Sequence, residues 1–301
     1  IINNFPKALN INIADNLRVI FIEETNNLIF VINHFFVDGI SWRLLMDNLS
    51  KLLNNEEIDE EKNRFDIWSN QLSKVDVDDN EFNYWNNTHQ SIEKFFDSKE
   101  ESYSNKFSKV KKFKIKISNK KQHMNIRNYT LNKLLDTLFD KYNKKSISLN
   151  IETHGREDIT FINDMNSLFG WYTSYFPMTF EKTKYRISDI EDKFKELNKN
   201  GIYYLLLKYN FIKKYSLTKE KNKIDILFNF MGDFSFESES IKLQDIGEEG
   251  DCGHVLSFWF DIASNNKNGC ILNCNLYYLE NHIKKEEIDI ITNLLVNNFL
   301  I

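Results

Sequence analysis

The sequence predicts a mixed α/β (α+β) chain, and three observations carry that expectation. Runs alternating apolar and polar residues, the pattern of half-buried strands, recur along the 301 residues. Between them lie runs with apolar residues three and four apart, the stripe of amphipathic helices. Hydrophobic residues make up 42% of the chain, 25 of them Phe, enough for a sizeable core and too many for a disordered chain. The two kinds of run are interspersed throughout and no internal repeat stands out, which favours layered sheet and helix over an all-α or all-β fold.

Taken in order, segments 18–24 (RVIFIEE) and 28–33 (LIFVIN) are rich in β-branched and aromatic residues, and the polar stretch Thr25–Asn27 suits a hairpin turn. A helix follows, with Trp42, Leu45, Met46, Leu49, Leu52 and Leu53 on one face and Ser41 as its expected N-cap. Residues 54–105 are polar with scattered anchors, Phe65, Trp68, Leu72, Phe82, Trp85 and Phe95, and read as helices and loops. A domain boundary is expected near residue 105, dividing an N-terminal lobe, 1–105, from a C-terminal lobe, 106–301. From Lys109 to Ile117 the chain reads as a strand with a lysine-rich face, by default a solvated or edge-strand face, with a docking stripe for a carrier protein as the alternative. A helix built on Leu131, Leu134, Leu135, Leu138, Phe139 and Tyr142 precedes the strand SISLNIE, 146–152. The pattern Ser188-x-x-Glu191 predicts a capping box for a helix that buries Ile190, Phe194 and Leu197 and stops near Gly201. Strands DILFNF (225–230), VLSFWFDI (255–262) and CILNCNLYY (270–278) and a closing helix on Ile288, Ile291, Leu294, Leu295 and Phe299 complete the chain.

Charge narrows the function classes. With 39 basic and 44 acidic residues the net charge is −5, which argues against nucleic-acid binding as the main role. Three cysteines, Cys252, Cys270 and Cys274, fit a reducing compartment, and buried thiols are expected in preference to a metal site. No run is long and apolar enough for a membrane span, and no signal peptide is visible, so a cytoplasmic location without membrane attachment is expected. The chain opens on IINN rather than Met, with strand-like sequence soon after, as a piece of a larger polypeptide would.

Two stretches place polar groups where they need a task. NHFFVDGISW, 33–42, puts His34, Asp38 and Gly39 in a loop between strand and helix, where both elements can hold side chains rigidly. IETHGRED, 151–158, ends a strand in Glu152, His154, Arg156, Glu157 and Asp158, with Gly155 allowing a tight turn. Ionisable groups at strand ends line active-site mouths, although such a cluster alone is more often a surface turn with ion pairs.

These stretches also carry a resemblance. NHFFVDGISWRLLMDNL resembles the HHxxxDGxSW motif of the condensation superfamily in nonribosomal peptide synthetases, and its SWR continuation is similar to the epimerization branch. IETHGRE is similar to that branch's EGHGRE motif, FGWYTSYFPM (169–178) to VGWFTxxYPV, NGIYYLLLKY (200–209) to GxGYGLLRY, and FNFMGDF (228–234) to FNYLGQF. The motifs occur in the family's order and span the chain from about residue 18 onward. The resemblance implies a two-lobed chloramphenicol-acetyltransferase-like fold with its site in a tunnel, a first lobe left incomplete at its N-terminal side, and a fragment of a multidomain synthetase.

It further implies epimerization at the Cα of an L-aminoacyl or peptidyl thioester. The thioester acidifies the α proton by delocalising the carbanion as an enolate, so the protein must supply a base, an acid and polar groups that tolerate an oxyanion. No cofactor is bound by the domain: the substrate arrives on the phosphopantetheine arm of a peptidyl carrier protein, and adjacent synthetase domains are the other implied partners. His34 matches the catalytic histidine, and an unperturbed imidazole titrates near 6.5. Glu152 matches the EGHGRE glutamate, and because a free carboxyl titrates near 4.3 its role requires a desolvated setting. Asp38 is assigned to structure, pairing with Arg43 or Arg156, and Gly39 permits the turn. Asn229 could donate to the enolate oxygen or position the thioester, or simply bond backbone at a strand end. Trp171 and Tyr172 lie in the tunnel floor, as packing or substrate contacts. His89, His123, His254 and His282 match no motif, and surface or structural roles are expected for them.

The chain departs from the family pattern at two positions. Asn33 stands where the family has its first histidine and cannot titrate, and Phe230 replaces the tyrosine of FNYLG, removing a hydroxyl. Two competing readings follow: a condensation domain, which would use His34 but has no need of Glu152, and a non-catalytic domain that binds carrier proteins.

Overall fold

The six-stranded sheet that organises this protein has one apolar face and one polar face, and the alternation within its strands is the cause. The computed structural model describes residue 9 and residues 15–58, 64–72, 74–96, 103–118, 125–157, 165–218, 222–233, 253–266 and 269–300. These fall into two compact units, one holding residues up to Val75 together with His154–Thr173, the other Asp76–Thr153 and the described residues from Ser174 onward. The described residues of 76–105 therefore group with the C-terminal part of the chain.

In the first unit, β1 (Leu17–Ile22) and β2 (Asn27–Ile32) form an antiparallel hairpin with Leu17 opposite Ile32 and Ile22 opposite Asn27. β1 stops two residues short of the expected end because Glu23–Thr25 coil into one 3-10 turn, closed by Asn26 in the left-handed conformation that Asn tolerates (φ 53°). Two helices follow, α1 (Gly39–Leu53) and α2 (Phe65–Leu72). The N-cap of α1 is Asp38 and not Ser41: the Ser41 backbone N–H donates to Asp38 Oδ1 at 2.8 Å. An N-cap carboxylate satisfies the N–H three residues on, which puts Ser41 inside the first turn with its hydroxyl available for other bonds.

The second unit begins with α3 (Asp79–Gln90) and contains β3 (Ser108–Ile117), α4 (Ile126–Tyr142), β4 (Ser146–Thr153), β5 (Ser174–Glu181), α5 (Ile187–Glu196), α6 (Tyr203–Lys208), β6 (Ile226–Asp233), β7 (Leu256–Asn266), β8 (Gly269–Leu279) and α7 (Lys285–Leu300). Strand order is β3-β8-β7-β6-β4-β5, with β6 parallel to both β4 and β7 and the other pairs antiparallel. Ile151, Phe228, Phe258 and Leu276 stand side by side in register and are all buried. Their face is covered by α4 and α7, which pack on each other and against β6 and β3 respectively. Leu131, Leu134, Leu135, Leu138, Ile288, Ile291 and Leu295 line these helices and are fully buried. Side chains alternate across a strand, so the next row turns Ser148, Asn150 and Glu152 of β4 to the opposite face.

Both edges of the sheet are managed. β5 carries Pro177, whose missing N–H is tolerated on an edge strand. β3, the other edge, exposes Lys112, Lys114 and Lys116, a pattern that discourages pairing with foreign strands. α5 is capped two residues before the expected Ser188. Its N-cap is Arg186, whose backbone N–H donates to Asp189 Oδ2 at 3.0 Å, so the reciprocal carboxylate is Asp189 rather than Glu191. Buried Asp225, between α6 and β6, holds the 91–96 stretch: Oδ2 accepts from the N–H groups of Phe95 and Phe96 at 3.1 and 2.9 Å, and Oδ1 from the Tyr103 hydroxyl at 2.9 Å.

Gly201 precedes α6 at φ +74°, and a Cβ there would sit 2.5 Å from the Phe176 ring of β5. Strain and overlap add, so Gly201→Ala lowers stability by about 2–4 kcal/mol. A urea melt checks this, and a loss below about 0.5 kcal/mol would show that the ring yields freely.

Candidate active site

In the first unit, the candidate residues gather round a buried ion pair. The loop after β2 runs through a single 3-10 turn, His34–Phe36, and the Asn33 side chain caps it by accepting the Phe35 N–H at 3.1 Å. The next residues, Val37 and Asp38, are buried. The Asp38 carboxylate accepts both bonds of a close pairing with Arg156 Nη2, at 2.7 and 2.9 Å, and the Tyr172 N–H at 3.1 Å, in addition to capping α1. The Arg156 side chain is fully buried. Its Nη1 donates to the carbonyls of Met165 and Leu168, and its guanidinium lies over the Tyr172 ring, 4.3 Å from the centroid. Gly155, in the left-handed conformation at φ 63°, supplies the turn that brings the arginine there.

Ser41 completes this network. Its hydroxyl donates to the Gly170 carbonyl at 2.8 Å and accepts from the Gly170 N–H and Arg156 Nη2, both at 3.0 Å. Tyr172 in turn packs edge-on against Trp68 and Phe65 of α2, with centroids 4.8 and 5.3 Å away. A buried ion pair is costly unless its other donors and acceptors are met, and here the α1 terminus, Ser41 and two loop carbonyls meet all but Arg156 Nε, which has no acceptor among the described residues. The network fixes the end of the loop, while His34 itself stays exposed, with its ring 5.2 Å from that of Trp171. Arg156, and not Arg43, is the partner of Asp38.

In the second unit, Glu152 sits near the end of β4 on the polar sheet face, directly in register with Asn229 on the parallel strand β6. Asn229 is buried, and its Nδ2 donates to Glu152 Oε1 at 2.6 Å. Burial pushes the Glu152 carboxyl up to about 7. Among the described residues no basic side chain counters this effect, and the side-chain bond to the carboxyl comes from a neutral amide. Such a group is populated in both protonation states near neutral pH.

The candidates thus form two clusters: Asp38, Arg156 and Tyr172 with Trp171 beside His34, and Glu152 with Asn229. His154 is exposed and lies 3.6 Å from Glu157. His89 is buried against the Tyr204 hydroxyl at 3.2 Å, and His254 Nε2 meets Asn150 at 2.7 Å. Cys270 and Cys274 are buried thiols, and among the described residues no group of His, Cys, Asp and Glu could hold a metal. Nor is any helix among them long and apolar enough to cross a membrane. Cys252, His123, Asp158 and Phe234 lie outside the described residues. Sequence reasoning assigned Ser41 to a cap and overlooked its bonds to Gly170 and Arg156, because partners far apart in the chain leave no spacing to read.

Removing the negative charge alone tests the ion pair. Asp38→Asn keeps the cap but leaves Arg156 buried without its counter-charge, and lowers stability by about 3–5 kcal/mol. Asp38→Asn combined with Arg156→Met costs less than the sum of the two single changes. Additive losses in urea unfolding would contradict the coupling.

The family model described as "Condensation domain" matches residues 9–298. Tyrocidine synthase 2 of Brevibacillus parabrevis is 26% identical over 254 residues, which cover 72% of this chain and 7% of that protein. Gramicidin S synthase 1 of Brevibacillus brevis is 24% identical over 264 residues, covering 75% of this chain and 23% of its own. The chain therefore spans a small fraction of the relatives it matches. Among solved structures, the epimerization domain from the third module of tyrocidine synthetase B aligns with a TM-score of 0.74 at 20% identity, covering 91% of this chain and 68% of that one. The condensation domain of the Monacolin K polyketide synthase MokA aligns at 0.66 and 13% identity, covering 95% and 72%. At these identities the likeness is one of fold, the chloramphenicol-acetyltransferase-like fold of the superfamily. By the match of its family model over nearly its whole length, the chain belongs to the condensation domain family.

Proposed function

We propose that this chain is an epimerization domain of a nonribosomal peptide synthetase. It acts on an aminoacyl or peptidyl group held as a thioester on the phosphopantetheine arm of a peptidyl carrier protein, beside other synthetase domains. In the reaction a base takes the α proton, the C–H electron pair moves into the thioester carbonyl to give an enolate, and an acid returns a proton to the opposite side of the same carbon. His34 and Glu152 are the proposed pair, one accepting while the other donates.

The carrying observation is the Glu152 carboxyl at about 7. A general acid or base works best when its pKa lies near the working pH, and an ordinary carboxyl near 4.3 would be almost wholly ionised there. Asn229 aims the carboxyl through the 2.6 Å bond and acts as a positioning residue. Asp38, Gly39 and Arg156 serve the loop that carries His34, and Trp171 and Tyr172 its surroundings. No cofactor enters the chemistry. A likeness in fold to a solved epimerization domain supports the same reading.

A condensation reading draws on the description of the matching family model and on His34, but leaves Glu152 without a task. A non-catalytic reading draws on Asn33, which is employed as a cap, and on Phe230.

A carrier protein loaded with an L-aminoacyl or peptidyl thioester and placed in deuterated water separates these. Solvent deuterium enters the α position and D product accumulates, and Glu152→Gln and His34→Ala each slow exchange by about 10²–10⁴-fold. In the direction in which Glu152 must donate, the rate falls as pH rises through about 7. Amide formation with a second loaded carrier, or binding without exchange, would overturn the proposal.

A further inference from the structure

The row of side chains that begins at Glu152 continues across the sheet. In register, Glu152 of β4 neighbours Asn229 of β6, Asn229 neighbours Trp259 of β7, and Trp259 neighbours Asn275 of β8. Registered neighbours project to the same face, so Trp259 stands on the polar face while Phe258 and Phe260 on either side of it are buried in the core. The Trp259 ring packs against Tyr277, at a centroid distance of 5.3 Å. Its Nε1–H is buried and has no hydrogen-bond partner among the described residues. Indole N–H groups in folded proteins find acceptors when buried, and an unmet one is costly. Asn229 already spends an N–H on Glu152, which leaves the indole as an unspent donor in this row.

From this we infer that Trp259 is a ligand-binding residue, its Nε1–H donating to a carbonyl oxygen of the thioester-bearing chain. The inference rests on the epimerization reading for the identity of that chain. Two strand spacings, about 10 Å, separate the backbones at Glu152 and Trp259. If the reacting carbon lies by Glu152, the chain extending over β6 toward β7 presents first the thioester carbonyl and then, past a short methylene spacer beyond the sulfur, the amide carbonyls of the pantetheine arm. Both are acceptors of the kind the indole lacks. Asn275, next in the row, extends the same polar track.

The test compares unmodified protein with Trp259→Phe, which keeps a ring against Tyr277 and removes only the donor. Two stable conjugates serve as probes: L-phenylalanine joined by an amide to aminopantetheine, and L-phenylalanine ethylamide, which lacks the arm's amides. Calorimetry is expected to show about 3- to 10-fold weaker binding of the pantetheine conjugate by the variant. An unchanged affinity for the ethylamide places the acceptor on the arm, whereas weakening of both places it on the carbonyl beside the reacting carbon. Either result supports the donor. An independent readout needs no variant: the Trp259 indole N–H proton resonance moves downfield when the pantetheine conjugate is added. The inference is overturned if variant and unmodified protein bind both probes alike, if neither probe binds the unmodified protein, or if that resonance does not move. Donor-dependent binding without α-proton exchange would sink the epimerization reading and leave the donor in place.

Discussion

A half-buried carboxyl at the end of a strand, answered among the described residues by a neutral amide, is the constraint on which the rest depends. Glu152 stands where β4 ends, on the face that alternation turns away from α4 and α7. An apolar row of Ile151, Phe228 and Phe258 backs it, and Asn229 meets it from the parallel strand. Had an arginine stood at position 229, the pair would have held the carboxylate ionised and useless as a proton donor near neutrality. An amide aims the group without fixing its charge.

The first unit solves a different problem with a different pair. Arg156 and Asp38 are both buried, and each remaining polar atom of the Asp38 carboxylate is met by backbone from α1 or the 165–172 stretch. The pair holds a loop in place; the exposed imidazole of His34 remains outside it. One short motif, IETHGRE, supplies both devices, since Glu152 belongs to the second unit and Arg156 to the first. Between them Gly155 turns the chain, which is why a residue with a free left-handed conformation stands there.

Much of the fold was legible because its signals are periodic. The leucines of α4 and the alternation of β4, β7 and β8 announce themselves over many residues. What was missed depends on partners distant in sequence. β5 reads poorly because Pro177 argues against a strand until its edge position is known. The caps of α1 and α5 fell on Asp38 and Arg186 rather than on Ser41 and Ser188, because several polar residues near a helix start compete and only geometry selects one. Glu152, Asn229, Asp38 and Arg156 were legible as candidates through motifs. The bond between the first two, and the place of Trp259 in their row, required the strand register.

In the proposed reaction the Glu152 carboxyl exchanges its proton near neutral pH. Following its side-chain carboxyl carbon by ¹³C NMR from pH 3 to 10, with the signal assigned by its loss in Glu152→Gln, measures this directly. A midpoint near 7 is expected. A midpoint at or below about 4.5, the range of a carboxyl in open water, would contradict it.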